Sequence, residues 1–255
     1  MKIINMLIII LILNLISKIV LSQEILEDVE VIGISPLPGV EIDRDKLPNA
    51  SQRLRETDME SSTATTIVDL LGEKLTGVTI KDVQNSPFQK NLDYRGFTAA
   101  PLLGESQGLA VYLNGTRINE GFGDTLQWEL VPEAALTNID LMSANPVFGL
   151  NALGGSLALT TKKGLDYLNT DSSIENHFEV GGADWVNGNI ELGAGTETQG
   201  LYVAMENSYD GGWRDNSAGD VKRLFVNYGI LGDNFDYDFT FMNADSSLNL
   251  SLIHI

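Results

Sequence analysis

The distribution of apolar positions changes character three times along the chain. Met1-Lys2 leads into Ile3–Ile16, an apolar run broken only by Asn5 and Asn14, and small and polar residues follow at Ser17, Lys18 and Ser22. A basic start, an apolar stretch and a small residue near the exit predict a cleaved signal peptide over 1–22. A membrane anchor is the alternative, but it needs about 20 apolar residues and would bury Lys18. From 23 to 65 the chain is acidic and rich in turn formers, with Pro36, Pro38, Gly39 and Pro48. Within it Asp28, Val29, Glu30, Val31 and Ile32 make a short β-prone run. That run reads either as a frayed strand or as a peptide that adds itself to the sheet edge of another protein.

From 66 to 163 the pattern is mixed. Ile67, Leu70, Leu71 and Leu75 recur at helical spacing, with Thr63 or Ser62 as cap and Gly77 as stop. Val78–Ile80, Leu109–Leu113, Ile139–Leu141 and Ser156–Thr161 read as strands, and Asn114-Gly115 is the strongest hairpin signal in the chain. Pro132 opens a short helix over Glu133–Leu136. Together these elements predict a small α+β domain.

After Lys163 strict alternation takes over. Ile190, Leu192 and Ala194 alternate with Glu191 and Gly193; Leu201, Val203 and Met205 face away from Tyr202, Ala204 and Glu206. Leu224, Val226, Tyr228 and Ile230 form one face of a further segment, and Phe235, Tyr237, Phe239 and Phe241 one face of the last. Segments of about ten residues with one apolar face fit the strands of a membrane β-barrel. An ordinary antiparallel sandwich has the same period. The barrel is favoured by the company of an export signal and the lack of any intervening helix.

Composition narrows the function. The 255 residues carry 35 acidic and 16 basic side chains, a net charge of −19, no cysteine and 2 histidines. With 43% hydrophobic residues the chain is not a disordered one. The acidic balance argues against nucleic acid as a partner, because phosphate affinity needs clustered Lys and Arg. Lack of cysteine removes disulfides, thiolate metal sites and thiol nucleophiles. Paired acids such as Asp236 and Asp238 follow from alternation along one strand, so no enzyme, cofactor or metal site is expected.

Several motifs, in order, resemble the plug domain and early barrel of TonB-dependent outer-membrane receptors. Thr66–Leu71 through Leu75–Ile80 is similar to the opening helix and strand of the plug. Leu92–Phe97, containing Arg95 and Gly96, is similar to its Arg-Gly motif, and Leu109–Asn119 around Asn114 and Gly115 to its strand–turn–strand. Asn145–Lys162, with Gly149, Gly154 and Gly155, resembles the closing Gly-rich turn and strand. Asp210–Ser217 resembles a turn between early barrel strands. The G-x-G-x-x-G spacing of a dinucleotide loop is missing, so these glycines are expected to serve positive φ and close backbone packing. Arg95, inside a lumen, is expected to pair with plug or wall carboxylates, since an unpaired buried cation is costly.

The resemblance implies an α+β plug (66–163) followed by the first antiparallel transmembrane strands of a barrel (164–255), after a periplasmic extension (23–65). It implies Asp28–Ile32 as the TonB box, with TonB protein, outer-membrane lipid and an extracellular ligand as partners. Plugged transporter barrels have about 22 strands, whereas the residues after Lys163 suffice for about four or five. A sheet left open in hydrocarbon exposes unpaired backbone groups, so the chain is expected to be the N-terminal part of a longer receptor. The implied function is active uptake of a scarce ligand, by family frequency a ferric siderophore or similar iron chelate, with loop tips at Pro101–Gln107 and Gly121–Asp124 facing outward. A signalling receptor is disfavoured, because the stretch between Ser22 and Thr66 is too short for another packed domain. A secreted β-rich adhesion or binding protein is the alternative of a different class.

Overall fold

Turn chemistry and side-chain alternation place most of the elements. The computed structural model describes residues 31–33, 41–43, 51–144, 149–182, 184–213 and 217–249. The expected leader, Asp28–Glu30 of the β-prone run and Asn145–Phe148 of the Gly-rich turn lie outside these residues. Val31 and Ile32 fall in strand β1 (Val31–Gly33), which pairs with β2 (Glu41–Asp43).

The α+β domain comprises β3 (Ser51–Arg55), helix α1 (Glu56–Glu60), helix α2 (Ile67–Lys74), β4 (Val78–Lys81), β5 (Asn91–Tyr94), β6 (Phe97–Ala99), β7 (Leu109–Leu113), β8 (Thr116–Arg117), β9 (Leu136–Ser143) and β10 (Gly155–Thr161). Five strands form a mixed sheet in the order β3-β9-β10-β7-β8, and β4-β5-β6 form a second. Strand β10 runs parallel to β7 and antiparallel to β9. Helix α2 buries Ile67, Val68, Leu70 and Leu71. They join Leu109, Val111, Trp128, Ile139 and Leu157 in one core.

Two boundaries differ from the sequence expectation. The cap of α2 is Thr66, whose extended backbone lets its Oγ1 accept from the Asp69 N–H. Ser62, an expected cap, is engaged elsewhere, donating to Glu73 at 2.8 Å. The folded domain also takes in β3, ahead of Thr66, as an edge strand on β9. Only Leu54 of β3 is buried, so its polar composition gave no sign of a strand.

The second half is a single antiparallel sheet of β11 (Ser173–Val180), β12 (Val186–Gly195), β13 (Gln199–Asp210), β14 (Gly219–Leu231) and β15 (Asp236–Leu248), neighbours in sequence being neighbours in space. Short turns at 196–198 and 232–235 lie at one end of this sheet, and the longer connections 181–185 and 211–218 at the other. The chain enters through a 3-10 turn, Gly164–Tyr167, packed at the short-turn end. A Cβ on Gly164 would lie 2.2 Å from the Gly200 carbonyl oxygen, so only glycine lets the two backbones meet there.

Candidate functional site

The antiparallel sheet is inverted relative to a water-soluble one. On β13, Leu201 and Met205 are 41% and 48% exposed, while Glu206 between their neighbours is 6% exposed. On β14, Arg223 and Asn227 are buried, and the apolar Leu224, Val226, Tyr228 and Ile230 form the other face. The buried face mixes these polar side chains with Tyr202, Ala204, Val221 and Phe225, and its burial comes from the α+β domain seated against it, Ala135 packing on Tyr202, Ala204 and Phe225.

The contact centres on Arg223. Its Nη1 donates to Glu206 on the neighbouring strand at 2.5 Å, its Nη2 to Glu133 of the α+β domain at 2.8 Å, and its Nε to the Glu129 carbonyl at 2.8 Å. The second oxygen of Glu133 accepts from the Ile67 N–H at 3.0 Å, the first turn of α2. Glu133 therefore joins the sheet to the N-terminus of α2, where the helix dipole favours a carboxylate. Burial pushes the Glu133 carboxyl up from its ordinary 4.5 to about 7; Arg223 opposes this and Glu206 adds to it. One guanidinium faces two carboxylates, and burial together with Glu206 outweighs its pull on Glu133.

A second junction lies where the chain passes from domain to sheet. Lys162 pairs with Glu191 of β12 at 2.7 Å, with Glu56 of α1 at 3.0 Å and with Glu175 of β11 at 3.7 Å. Burial disfavours its charge, but Glu191 and Glu56 outweigh burial and hold the ammonium above its ordinary range. Glu191 also accepts from the Tyr202 hydroxyl at 2.6 Å, and Tyr202 stacks on Tyr167 at 5.5 Å. The Gly164 N–H donates to Asn227 at 2.6 Å, whose amide donates to Asp238. Among the described residues no group of His, Asp and Glu side chains is placed to hold a metal ion.

Ion pairs and an apolar patch thus hold a compact domain against one face of the sheet, with large apolar side chains on the other. Residues 43–156 match the family described as TonB-dependent Receptor Plug Domain. These residues are a TonB-dependent receptor plug domain. Similar solved structures include the ferric citrate transporter FecA in unliganded form (15% identity, TM-score 0.60, 79% of this chain and 32% of that one). The copper transporter OprC is similar at 12% identity, TM-score 0.65, with 79% and 32% covered. The ferric yersiniabactin uptake receptor FyuA from Yersinia pestis is similar at 15% identity, TM-score 0.57, with 78% and 31% covered. The chain thus spans about a third of the length of these structures. No curated protein sequence matches it. The fold is that of a plug domain followed by antiparallel barrel strands, hereafter the wall.

Within the plug, the residues singled out from the sequence fall into two groups. Arg95 (φ 54°) and Gly96 (φ 88°) form the two-residue turn between β5 and β6. Positive φ at both positions turns the Arg95 side chain outward: it is exposed, lies over the Tyr94 ring at 4.9 Å and donates to Ser143 Oγ at 3.4 Å. Among the described residues its partners are a ring face and a hydroxyl. Gly154 packs against Phe97 on the far side of this turn, with 2.5 Å from its would-be Cβ to the Phe97 Cβ. Gly155 packs against the Met142 carbonyl at 2.3 Å by the same measure. Asn114 (φ 48°) and Gly115 (φ 82°) turn β7 into β8 at the opposite end of the sheet. There the Asn114 amide exchanges hydrogen bonds with Thr161.

Three loops gather at the end that carries Arg95: 100–108, 118–127 and the described part of 144–154, which includes Gly149 (φ 84°). Arg117 ties them by donating to Asp124 at 2.6 Å and to the Leu150 carbonyl at 2.5 Å, and Asn151 donates to Asp124. They border an open cavity of about 680 Å³ lined by Arg117, Glu120, Asp124, Leu150, Asn151 and Leu153. This end lies opposite the Asn114-Gly115 turn and the exit at Lys162–Lys163. Sequence reading did not single out Arg223, Glu206, Glu133 or Lys162 as a contact; the only trace was charge on the polar face of alternating strands.

Proposed function

We propose that this chain supplies the coupling segment, plug and first wall strands of an outer-membrane receptor that imports a scarce extracellular ligand, energised through the TonB protein. The observation that carries the reading is the inverted wall: apolar side chains face outward and buried charges face the plug, as a lipid-embedded barrel around a polar stopper requires. In this reading 1–22 is an export signal and Asp28–Ile32 is captured as an added strand by TonB. The Arg95 end, with its loops and cavity, faces the extracellular ligand. A ferric siderophore or similar iron chelate is the ligand class; two of the similar structures are a ferric citrate transporter and a ferric yersiniabactin receptor. A copper transporter with the same fold means that the fold does not fix the cargo. No catalytic step is assigned.

Force transmitted from the coupling segment reaches β3 and α1 before the rest of the plug. Strand β3 is held by one neighbour, and Glu56 of α1 is tied to the wall through Lys162. Elements at a sheet edge are the least costly to open, so the plug is expected to yield there first. The test uses the receptor expressed from its whole gene. Val31→Pro removes a backbone donor from the captured strand and should abolish uptake of the radiolabelled iron chelate while leaving its surface binding intact. Undiminished uptake removes the assignment of the box.

A further inference from the structure

Lys162 stands where the chain leaves the plug, and carboxylates from three elements converge on it. Glu191 of β12 lies at 2.7 Å, Glu56 of α1 at 3.0 Å and Glu175 of β11 at 3.7 Å. The three are not equivalent. Glu191 is fixed: it accepts from the Tyr202 hydroxyl at 2.6 Å, and Tyr202 is fully buried and stacked on Tyr167. Glu56 sits on the loosest part of the plug. Helix α1 buries none of its five residues, and β3 ahead of it has a single neighbour strand. Glu175 is at the outer limit of an ion pair, with its side chain 61% exposed.

Register makes Lys162 necessary to the wall as well as to α1. Glu175 and Glu191 are direct cross-strand partners, and like charges facing each other across two strands are destabilising. The Lys162 ammonium lies between them and offsets the repulsion. It has three donors, so with Glu191 and Glu56 engaged a further partner can be taken up. There is also room to move. A cavity of about 580 Å³ lies between α1 and the first two wall strands, lined by Glu56, Met59, Glu60, Lys162, Glu175 and Glu191. The chain beyond Lys162 is held by other bonds. The Gly164 N–H donates to Asn227 at 2.6 Å, and the Gly164 backbone lies against Gly200. Neither contact involves β3 or α1.

We propose that Lys162 is an exchange pivot: when β3 and α1 are drawn off the wall, Glu175 takes the place of Glu56 on the ammonium, and the exit of the plug stays pinned. Release then swaps one ion pair for another. It strands neither the ammonium, whose side chain is 13% exposed, nor the facing acids of β11 and β12; a buried charge left without its partner would be costly. Glu191 keeps the ammonium in place throughout, so α1 can return to the same partner. The direction of pull rests on coupling through the N-terminal segment, as proposed for transport. The exchange itself follows from the three distances and the register.

The test treats the whole receptor, in mild detergent, with a water-soluble carbodiimide, which joins an amine to a carboxylate in direct contact. Cross-links of Lys162 are counted by peptide mass spectrometry, and hydrogen exchange in the same samples reports opening of 51–60. In the unsubstituted receptor Glu56 and Glu191 should supply nearly all cross-links. Glu56→Gln should raise the Glu175 cross-link about fivefold and leave that of Glu191 unchanged, with exchange in 51–60 about two- to fivefold faster, the size expected of one partly exposed pair. Sub-denaturing urea should do the same without a substitution, the Glu175 cross-link rising as 51–60 opens. Unchanged exchange in β13 and β14 shows that the wall is intact. A Glu175 cross-link that stays flat in both experiments, or a Glu191 cross-link that falls together with that of Glu56, overturns the proposal. Uptake is measured apart, in cells: a receptor that exchanges partners and imports nothing keeps the pivot and loses the transport reading.

Discussion

The plug and the wall are built from similar proportions of apolar residue, and they use them in opposite directions. In the plug, Leu71, Trp128, Ile139 and Leu157 are buried together, and charge lies outside or in pairs such as Arg53–Asp140. In the wall, Leu201, Met205 and Phe239 are turned out, and Arg223 and Glu206 are turned in. The difference lies in the solvent each face meets. Apolar surface leaves water in both cases, once into a protein core and once, in the proposed setting, into hydrocarbon. Periodicity identifies which residues share a face; it does not identify which face is inside. That is decided by what docks on the polar side, and here the docking partner is the domain immediately upstream.

The largest expected effect falls where the two regions meet. Arg223→Ala leaves Glu206 and Glu133 facing each other without a cation, which should cost about 3–5 kcal/mol of plug docking. Urea unfolding of the whole receptor, followed by a reporter in the plug, measures it. Adding Glu133→Gln and Glu206→Gln should return most of the loss, because the neutral amides need no cation; a loss that persists in the triple variant means that shape, not charge, holds the contact.

A charge placed on the outer face probes the wall itself. Val226→Lys, in the middle of the apolar face, should cost about 2–4 kcal/mol of insertion, and Asn207→Lys, beside Lys222 near the long-connection end, about 0–1. Folding titrations of the receptor into vesicles give both values. Equal costs at the two positions would mean that the sheet face is not graded by depth and would remove the membrane reading of the wall.

Sequence carried the local features further than the distant ones. Asn114-Gly115 and the alternating strands were legible because a two-residue turn and a period of two depend on neighbours in the chain. Strand β3 was not legible: an edge strand with one buried residue, Leu54, has no apolar period to read. Five hydroxyl residues, Ser61, Ser62, Thr63, Thr65 and Thr66, precede α2, and only the direction of the Asp69 N–H selects Thr66 as the cap. The contacts of Arg95 with the Tyr94 ring and the Ser143 hydroxyl were not legible either, since they depend on the left-handed turn that places it beside β9. The Arg223 contact was out of reach for a different reason. It joins residues 90 and 94 positions apart, and a polar face looks the same in sequence whether water or a plug covers it.

The smallest expected effect is also the one that isolates a single proton at the contact. Glu133 holds its proton up to about pH 7 in the docked plug, against an ordinary value of 4.5. A carboxyl whose folded value is raised contributes stability that is fully present below pH 4.5 and is lost as pH rises through about 7. Docking should therefore weaken between pH 5 and 8. The Glu133 side chain keeps 22% exposure, which reduces the change to on the order of 1–2 kcal/mol. Glu133→Gln keeps one oxygen but turns its amide nitrogen toward the Arg223 or Ile67 donor, so it should lower stability by about 1–3 kcal/mol at every pH while flattening the dependence. Urea midpoints of both proteins across this range decide the matter. A slope that survives the substitution places the titrating group elsewhere, and a slope of opposite sign in the unsubstituted protein shows that the ionised carboxylate, not the protonated one, holds plug to wall.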